Sequence, residues 1–184
     1  MRVIAGKARR IPLITPPGND TRPTTDRIKE TLFNILQDDL YDCRFLDLFA
    51  GSGGIGIEAL SRGAAKATFV ENDRKAVQCI KSNLEKTGLA QQADVRTTDV
   101  TVAIAALGRE GDPYDIIFAD PPYRKGWEEK LLGLLADSNV ANEDTLIITE
   151  SALETPMDYV DEAVYEVVRV KDYKSNRHVF LRKR

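Results

Sequence analysis

Four carboxylates stand at or just past the ends of four successive apolar runs: Asp47 in FLDLFA, Glu71 in ATFVEND, Asp99 in ADVRTTD and Asp120 in YDIIFAD. After the first run comes Gly51-Ser52-Gly53-Gly54-Ile55-Gly56, a literal G-x-G-x-x-G, and the fourth runs straight into Pro121-Pro122-Tyr123. Glycines let backbone approach a ligand closely, and the amides that open a helix favour negative charge. Glu71, 20 residues beyond Gly51, is placed to take ribose hydroxyls. Two nucleoside cofactors fit so far, a nicotinamide or flavin dinucleotide and S-adenosylmethionine. Three features favour the second. Asp47, four residues before Gly51, suits a cationic amino-acid group and would repel a pyrophosphate. Asp99 can accept a hydrogen bond from an adenine amino group. The Asp-Pro-Pro-Tyr end has no role in hydride transfer.

The elements that must position these residues alternate. A short basic β-ribbon (RVIA, a turn at Gly6-Lys7, then RRIPL) leads through TPPGNDTRP to a helix capped by Thr24 or Thr25. Ile28, Leu32, Ile35, Leu36 and Leu40 make its apolar stripe. Strands at 45–50, 67–73, 93–99, 114–120 and 144–151 then alternate with helices, and YEVVRVKDY and HVFLRKR close the chain as a hairpin around KSNR. Strand–helix alternation predicts an α/β domain with a mainly parallel sheet, whose ligands bind beyond the carboxyl ends of the strands. We expect a single domain over 1–184, with 1–23 as ribbon and loop and 24–184 as helix and core.

Composition narrows the chemistry. With 184 residues, 42% hydrophobic and 30% charged, the chain can bury a real core. No apolar run reaches the ~20 residues of a membrane helix, and the start lacks a signal-peptide pattern, so a cytoplasmic location is expected. Cys43 and Cys79 are isolated and read as small buried apolar residues, so no disulfide and no metal site is expected. The single histidine, His178, lies beside Val179 and Phe180 and reads as structural. Chemistry is left to carboxylates, backbone groups or a cofactor. Net charge is −3, unevenly spread. Residues 1–29 hold seven Lys/Arg against two acids (+5), 169–184 seven against one (+6), and 30–168 twelve against 26 (−14). Basic ends on an acidic body are compatible with a polyanionic partner or with solubilising termini.

LDLFAGSGGIGIEALSRGA together with FADPPY resembles Class I methyltransferases that act on exocyclic amino groups. The basic ribbon followed by RPTTDRIKETLFNIL narrows the resemblance to the RsmD-type 16S ribosomal RNA guanine-N2 methyltransferases, over nearly the whole chain. It implies a Rossmann-like fold with a seven-stranded mostly parallel sheet, helices on both faces and a C-terminal antiparallel hairpin. It implies S-adenosylmethionine as cofactor, and as partner 16S ribosomal RNA, within a 30S subunit or assembly intermediate; a small, acidic-bodied chain with no evident interface helix is expected to be a monomer. By the same resemblance Asp47, Phe49, Gly51 and Gly53 line the methionine and ribose part of the cofactor. Glu71 holds the ribose, Asn72 flanks the adenine, Asp99 binds its amino group, and Asp120, Pro121, Pro122 and Tyr123 form the catalytic loop. The sequence departs from the family at Gly54, where Ala is common, and at the KSNR turn, where some relatives carry glycine.

The loop has a physical rationale. Guanine's 2-amino group is a poor nucleophile, so the task is to align it with the methyl and disperse the positive charge that develops. Pro121 pushes Asp120 into an extended conformation, and Pro122 does the same to Pro121. Asp120 and a proline carbonyl can then accept both amino hydrogens, in bonds that strengthen as the nitrogen becomes cationic. Tyr123 would stack on a base taken out of its helix. Arg2, Lys7, Arg9, Arg10 and Arg22 would grip phosphates, with Arg124 and Lys125 holding the flipped nucleotide. Arg22 and Thr24 could instead meet the cofactor. Other readings are methylation of another amino group (adenine N6 in DNA, or protein glutamine), a non-catalytic RNA-binding assembly factor, and an NAD-dependent dehydrogenase. Glutamine enzymes typically have Asn where Asp120 stands, and 184 residues leave little room for a DNA-recognition segment.

Overall fold

The structure is a computed structural model and describes residues 1–16 and 26–184, so the cap expected at Thr24 or Thr25, and Arg22, lie outside the described residues. Two compact units divide the chain, Met1–Asp99 and Val100–Arg184. Seven strands belong to one mixed sheet, which with its helices is the expected fold class.

In the first unit, α1 (Asp26–Ile35) is followed by β1 (Arg44–Leu48), α2 (Gly54–Arg62), β2 (Lys66–Glu71), α3 (Arg74–Thr87) and β3 (Ala93–Thr97). β2 lies between β1 and β3, parallel to both, with Asp47 opposite Phe69 and Glu71 opposite Thr97. Phe45 to Leu48 and Ala67 to Val70 are all buried, the unbroken pattern of strands covered on both faces. α3 opens on Asp73, whose side chain accepts from the Lys75 amide at 2.9 Å, and closes at Gly88.

The ribbon is narrower than the sequence suggests. It holds one bridge, Arg2 to Pro12, with amide bonds from Val3 to Ile11 (3.0 Å), Arg10 to Val3 (2.8 Å) and Leu13 to Met1 (3.0 Å). What fixes it is α2. Ile4 and Ala5 donate their amides to the Glu58 carboxylate at 2.8 and 3.0 Å, and Ser61 Oγ bonds both the Ala8 amide and the Ala5 carbonyl. Glu58 also pairs with Lys29 at 3.2 Å and Arg62 at 2.8 Å. This explains a correction in α1. Its buried residues are Lys29, Leu32 and Phe33, with Leu36 and Leu40 beyond it, while Ile28 and Ile35 are only half-buried. The face is rotated toward Lys29 because an ammonium can be buried where a carboxylate meets it. Burial pulls the Lys29 ammonium below its usual pKa, against the pull of Glu58.

In the second unit, α4 (Val100–Glu110), β4 (Ile116–Ala119), α5 (Trp127–Ala136) and β5 (Leu146–Ala152) lead to the hairpin β6 (Tyr165–Asp172) and β7 (Asn176–Lys183). β4 and β5 are parallel, β7 runs antiparallel to β5, and β6 takes the edge with an irregularity between Val167 and Arg169. β7 begins at Asn176, two residues earlier than HVFLRKR suggested, and the Asn176 side chain is buried. Cys43 is buried, but Cys79 is only partly covered, which corrects the expectation for it.

Candidate functional site

The glycine loop is fastened at three points. Asp47 lies in β1, 2% exposed, and its Oδ2 accepts the Gly56 amide in the first turn of α2 at 2.9 Å. Glu71, at the end of β2, accepts the Gly51 amide on Oε2 at 2.8 Å, and the Asn72 and Asp73 amides on Oε1 at 2.9 Å each. The Ala50 amide bonds the Val70 carbonyl at 2.9 Å. Two carboxylates thus hold the loop from beneath and from the next strand.

The backbone is unusual here. Phe49 has φ 62°, a left-handed conformation that a bulky residue adopts only where its surroundings enforce it. Gly51 has φ 55° and nothing within 4 Å of where a Cβ would stand, so a ligand can approach its backbone. Gly56 is required for a different reason: a Cβ there would fall 2.3 Å from the Phe69 ring. A Cβ at Gly54 would meet the Met1 sulfur at 2.3 Å, the end of a flexible side chain that can move aside.

This donor set suits a nucleoside cofactor with a cationic tail. A carboxylate offers about four lone-pair sites. Glu71 uses three of them, leaving Oε2 room for one further donor such as a ribose hydroxyl. Burial pushes the Asp47 carboxyl up to about 7, the Gly56 amide opposes this and the nearby Glu71 charge adds to it. Such a group favours a cation beside it. Phe49 and Gly51 are half-buried, Gly53 is buried, and Asn72 and Asp99 are exposed.

The loop that follows β4 belongs to the second unit. Asp120 is half-buried, Pro121 buried, Pro122 exposed and Tyr123 half-buried. Tyr123 donates its hydroxyl to Glu150 Oε1 at 2.6 Å. Arg124 adopts φ 61° and pairs with Glu154 at 2.6 Å, with side chains 79% and 60% exposed, so the pair adds little stability and leaves the guanidinium accessible. Lys125 is exposed. In the ribbon Arg2, Lys7, Arg9 and Arg10 are all exposed, Arg2 pairing with Asp26 at 3.0 Å.

Several residues behind these sites escaped the sequence reading. Asn83 sits on the buried face of α3 with Ala76, Val77, Ile80 and Leu84. Its side chain bonds the Ile14 amide and carbonyl at 2.7 and 2.8 Å and the Ser52 carbonyl at 3.0 Å, tying the ribbon's end to the glycine loop. An amide on an apolar stripe was a visible signal. Glu58 and Lys29 gave the same signal in α2 and α1. Glu150 and His178 gave none that sequence spacing could reveal. Among the described residues no helix is long and apolar enough to cross a membrane, and no His/Cys/Asp/Glu group is arranged to hold a metal ion.

A family model described as "Conserved hypothetical protein 95" matches residues 1–182. The chain is 43% identical over 156 residues to Ribosomal RNA small subunit methyltransferase D of Escherichia coli (strain K12), covering 84% of this chain and 76% of that protein. It is 41% identical over 157 residues to YlbH of Bacillus subtilis (strain 168), covering 85% of each. The solved structure of yhhF from Escherichia coli matches with a TM-score of 0.87 and 38% identity, over 100% of this chain and 97% of that one.

Proposed function

The chain belongs to the family of small-subunit ribosomal RNA methyltransferase D proteins, and from that premise we propose that it methylates the exocyclic N2 of a guanine in 16S ribosomal RNA. The observation that carries the reading is that one chain holds both an open Gly51 turn buckled by Glu71 and an Asp-Pro-Pro-Tyr loop at the end of β4. When bound, S-adenosylmethionine supplies an electrophilic methyl group on a sulfonium.

The chain's own residues do the rest. Asp47 favours the cationic amino-acid end, Glu71 takes a ribose hydroxyl, and Phe49, Gly51 and Gly53 line the passage between them. Asn72 and Asp99 serve the adenine. Asp120 and a carbonyl of Pro121 or Pro122 accept the two amino hydrogens and stabilise the charge that grows on nitrogen. Tyr123 stacks on the flipped base, worth roughly 1–3 kcal/mol. Arg2, Lys7, Arg9 and Arg10, with Arg22, Arg124 and Lys125, neutralise phosphates. The enzyme acts as a cytoplasmic monomer, on 16S RNA within a 30S subunit or an assembly intermediate.

Asp120→Ala tests the reading. We expect it to bind S-adenosylmethionine like the parent in isothermal titration while losing nearly all methyl transfer. Full activity in that variant would remove Asp120 from the mechanism, and tighter binding of NAD than of S-adenosylmethionine by the parent would replace the reading with a dehydrogenase.

A further inference from the structure

The second unit contains a buried polar chain that the chemistry above does not use. On β5, Glu150 is 5% exposed and stands opposite His178 of β7 in the antiparallel register, with Asn176 two residues away on the same face. The carboxylate receives three donors: Tyr123 hydroxyl at 2.6 Å and Asn176 Nδ2 at 2.7 Å on Oε1, and His178 Nε2 at 2.8 Å on Oε2. His178 is fully buried, edge-on to Phe118 (ring centres 5.8 Å apart) and Phe180 (6.4 Å), and its Nδ1 lies 3.2 Å from the Tyr173 hydroxyl.

Hydrogen-bond roles follow from the chemistry. A carboxylate only accepts, so His178 Nε2 carries a proton. Burial, with the Glu150 charge adding to it, pushes the Tyr173 hydroxyl up to about 12, so it remains protonated and can donate to Nδ1. For Glu150, burial alone would raise the pKa, but the hydrogen bonds it accepts from His178, Tyr123 and Asn176 outweigh it and hold the carboxyl below its usual value. An ionised carboxylate buried to 5% exposure is an expensive feature if it serves only to pack strands. One of its donors is the aromatic residue of the loop itself.

We propose that Glu150, held by His178 and Asn176, is a positioning residue that fixes the Tyr123 ring through its hydroxyl, so that the ring is oriented before a base arrives. This rests on the methyltransferase reading and extends it from the loop to β5 and β7. Removing the Glu150 bond would give the half-buried Tyr123 ring more rotational freedom, and ordering it on binding would weaken the stack. A charge-assisted bond at 2.6 Å removes that freedom in advance.

The test uses Tyr123→Phe, Glu150→Gln and the double variant, in the full chain. His178 is the only histidine, so its two ring nitrogens can be followed by NMR without assignment ambiguity. We expect Nε2 protonated in the parent, and a shift of that resonance in Tyr123→Phe, where Glu150 loses a donor. Each single variant should lower kcat/KM for RNA about 10- to 100-fold, the range for a charged hydrogen bond, with unchanged cofactor affinity at a temperature well below unfolding. The double variant should be no worse than the poorer single one. Losses that multiply in the double variant, an unmoved His178 resonance, or lowered thermal stability with unchanged kcat/KM would each overturn the proposal. If Glu150→Gln does not fold, Tyr123→Phe and the NMR comparison still decide. Should the parent transfer no methyl to RNA, the functional reading fails while the imidazole resonance still reports the clamp.

Discussion

Asp47→Asn should change the stability of this protein in a way that depends on pH. In the folded chain the Asp47 carboxyl titrates near 7 against an ordinary value of 3.8, chiefly because it is buried. A raised folded pKa means the native state holds its proton longer than the unfolded state does. Stability from this group is therefore complete below about 4 and is lost as pH rises toward 7. The full difference of about 3 units corresponds to about 4 kcal/mol, of which about 2–3 kcal/mol falls between pH 5 and pH 8. Asn keeps an oxygen to accept the Gly56 amide but carries no charge, so it abolishes this slope. Its buried amide N–H₂ groups add a penalty of about 1–3 kcal/mol at every pH. Urea denaturation of parent and variant at pH 5 and pH 8 separates the two effects. Relative to the parent, the variant should gain about 2–3 kcal/mol between those pH values. A difference that is the same at both would refute the burial argument. The same logic makes S-adenosylmethionine bind about tenfold more tightly to the parent at pH 8 than at pH 6, with proton release, if its cationic end requires ionised Asp47. The Asp47→Asn variant should show no such trend.

Three further outcomes follow from the packing and charge. Glu58→Ala leaves the buried Lys29 ammonium with the Arg2 carbonyl but no paired carboxylate, and two ribbon amides without their acceptor, so unfolding should become easier by about 3–5 kcal/mol in urea titration. A loss under about 1 kcal/mol would show that water replaces the carboxylate. Gly56→Ala drives a Cβ into the Phe69 ring and should cost about 1–3 kcal/mol in thermal denaturation, while Gly54→Ala displaces only the Met1 side chain and should be nearly neutral. Equal effects would contradict the packing of the glycine loop. Replacing exposed Arg9 and Arg10 together by Ala should weaken RNA binding and reduce the salt slope by up to about 2, and unchanged affinity would remove the ribbon from the interface.

Local pattern sufficed for much of this molecule. FLDLFA, ATFVEND and YDIIFAD became β1, β2 and β4 because unbroken apolar runs of that length fit strands covered on both faces. Asp73 and Gly88 bounded α3 by ordinary capping chemistry. The glycine loop was legible as a turn, but not the Phe49 conformation or the use of Glu71 as a buckle across 20 residues. Non-local pairing is what stayed hidden. Glu150 and His178 are 28 residues apart, and only the β5–β7 register makes them neighbours. The buried α1 face departs from the hydropathy pattern because Ile28 and Ile35 outrank Lys29 on hydropathy, whereas the buried Glu58 decides the contest.

Methyl transfer is the direct measure of the central claim. Labelled methyl from S-adenosylmethionine should be incorporated into unmodified 16S ribosomal RNA or 30S particles, and the product nucleoside should be N2-methylguanosine at one position. Incorporation into adenine, into protein alone, or into nothing would contradict the account.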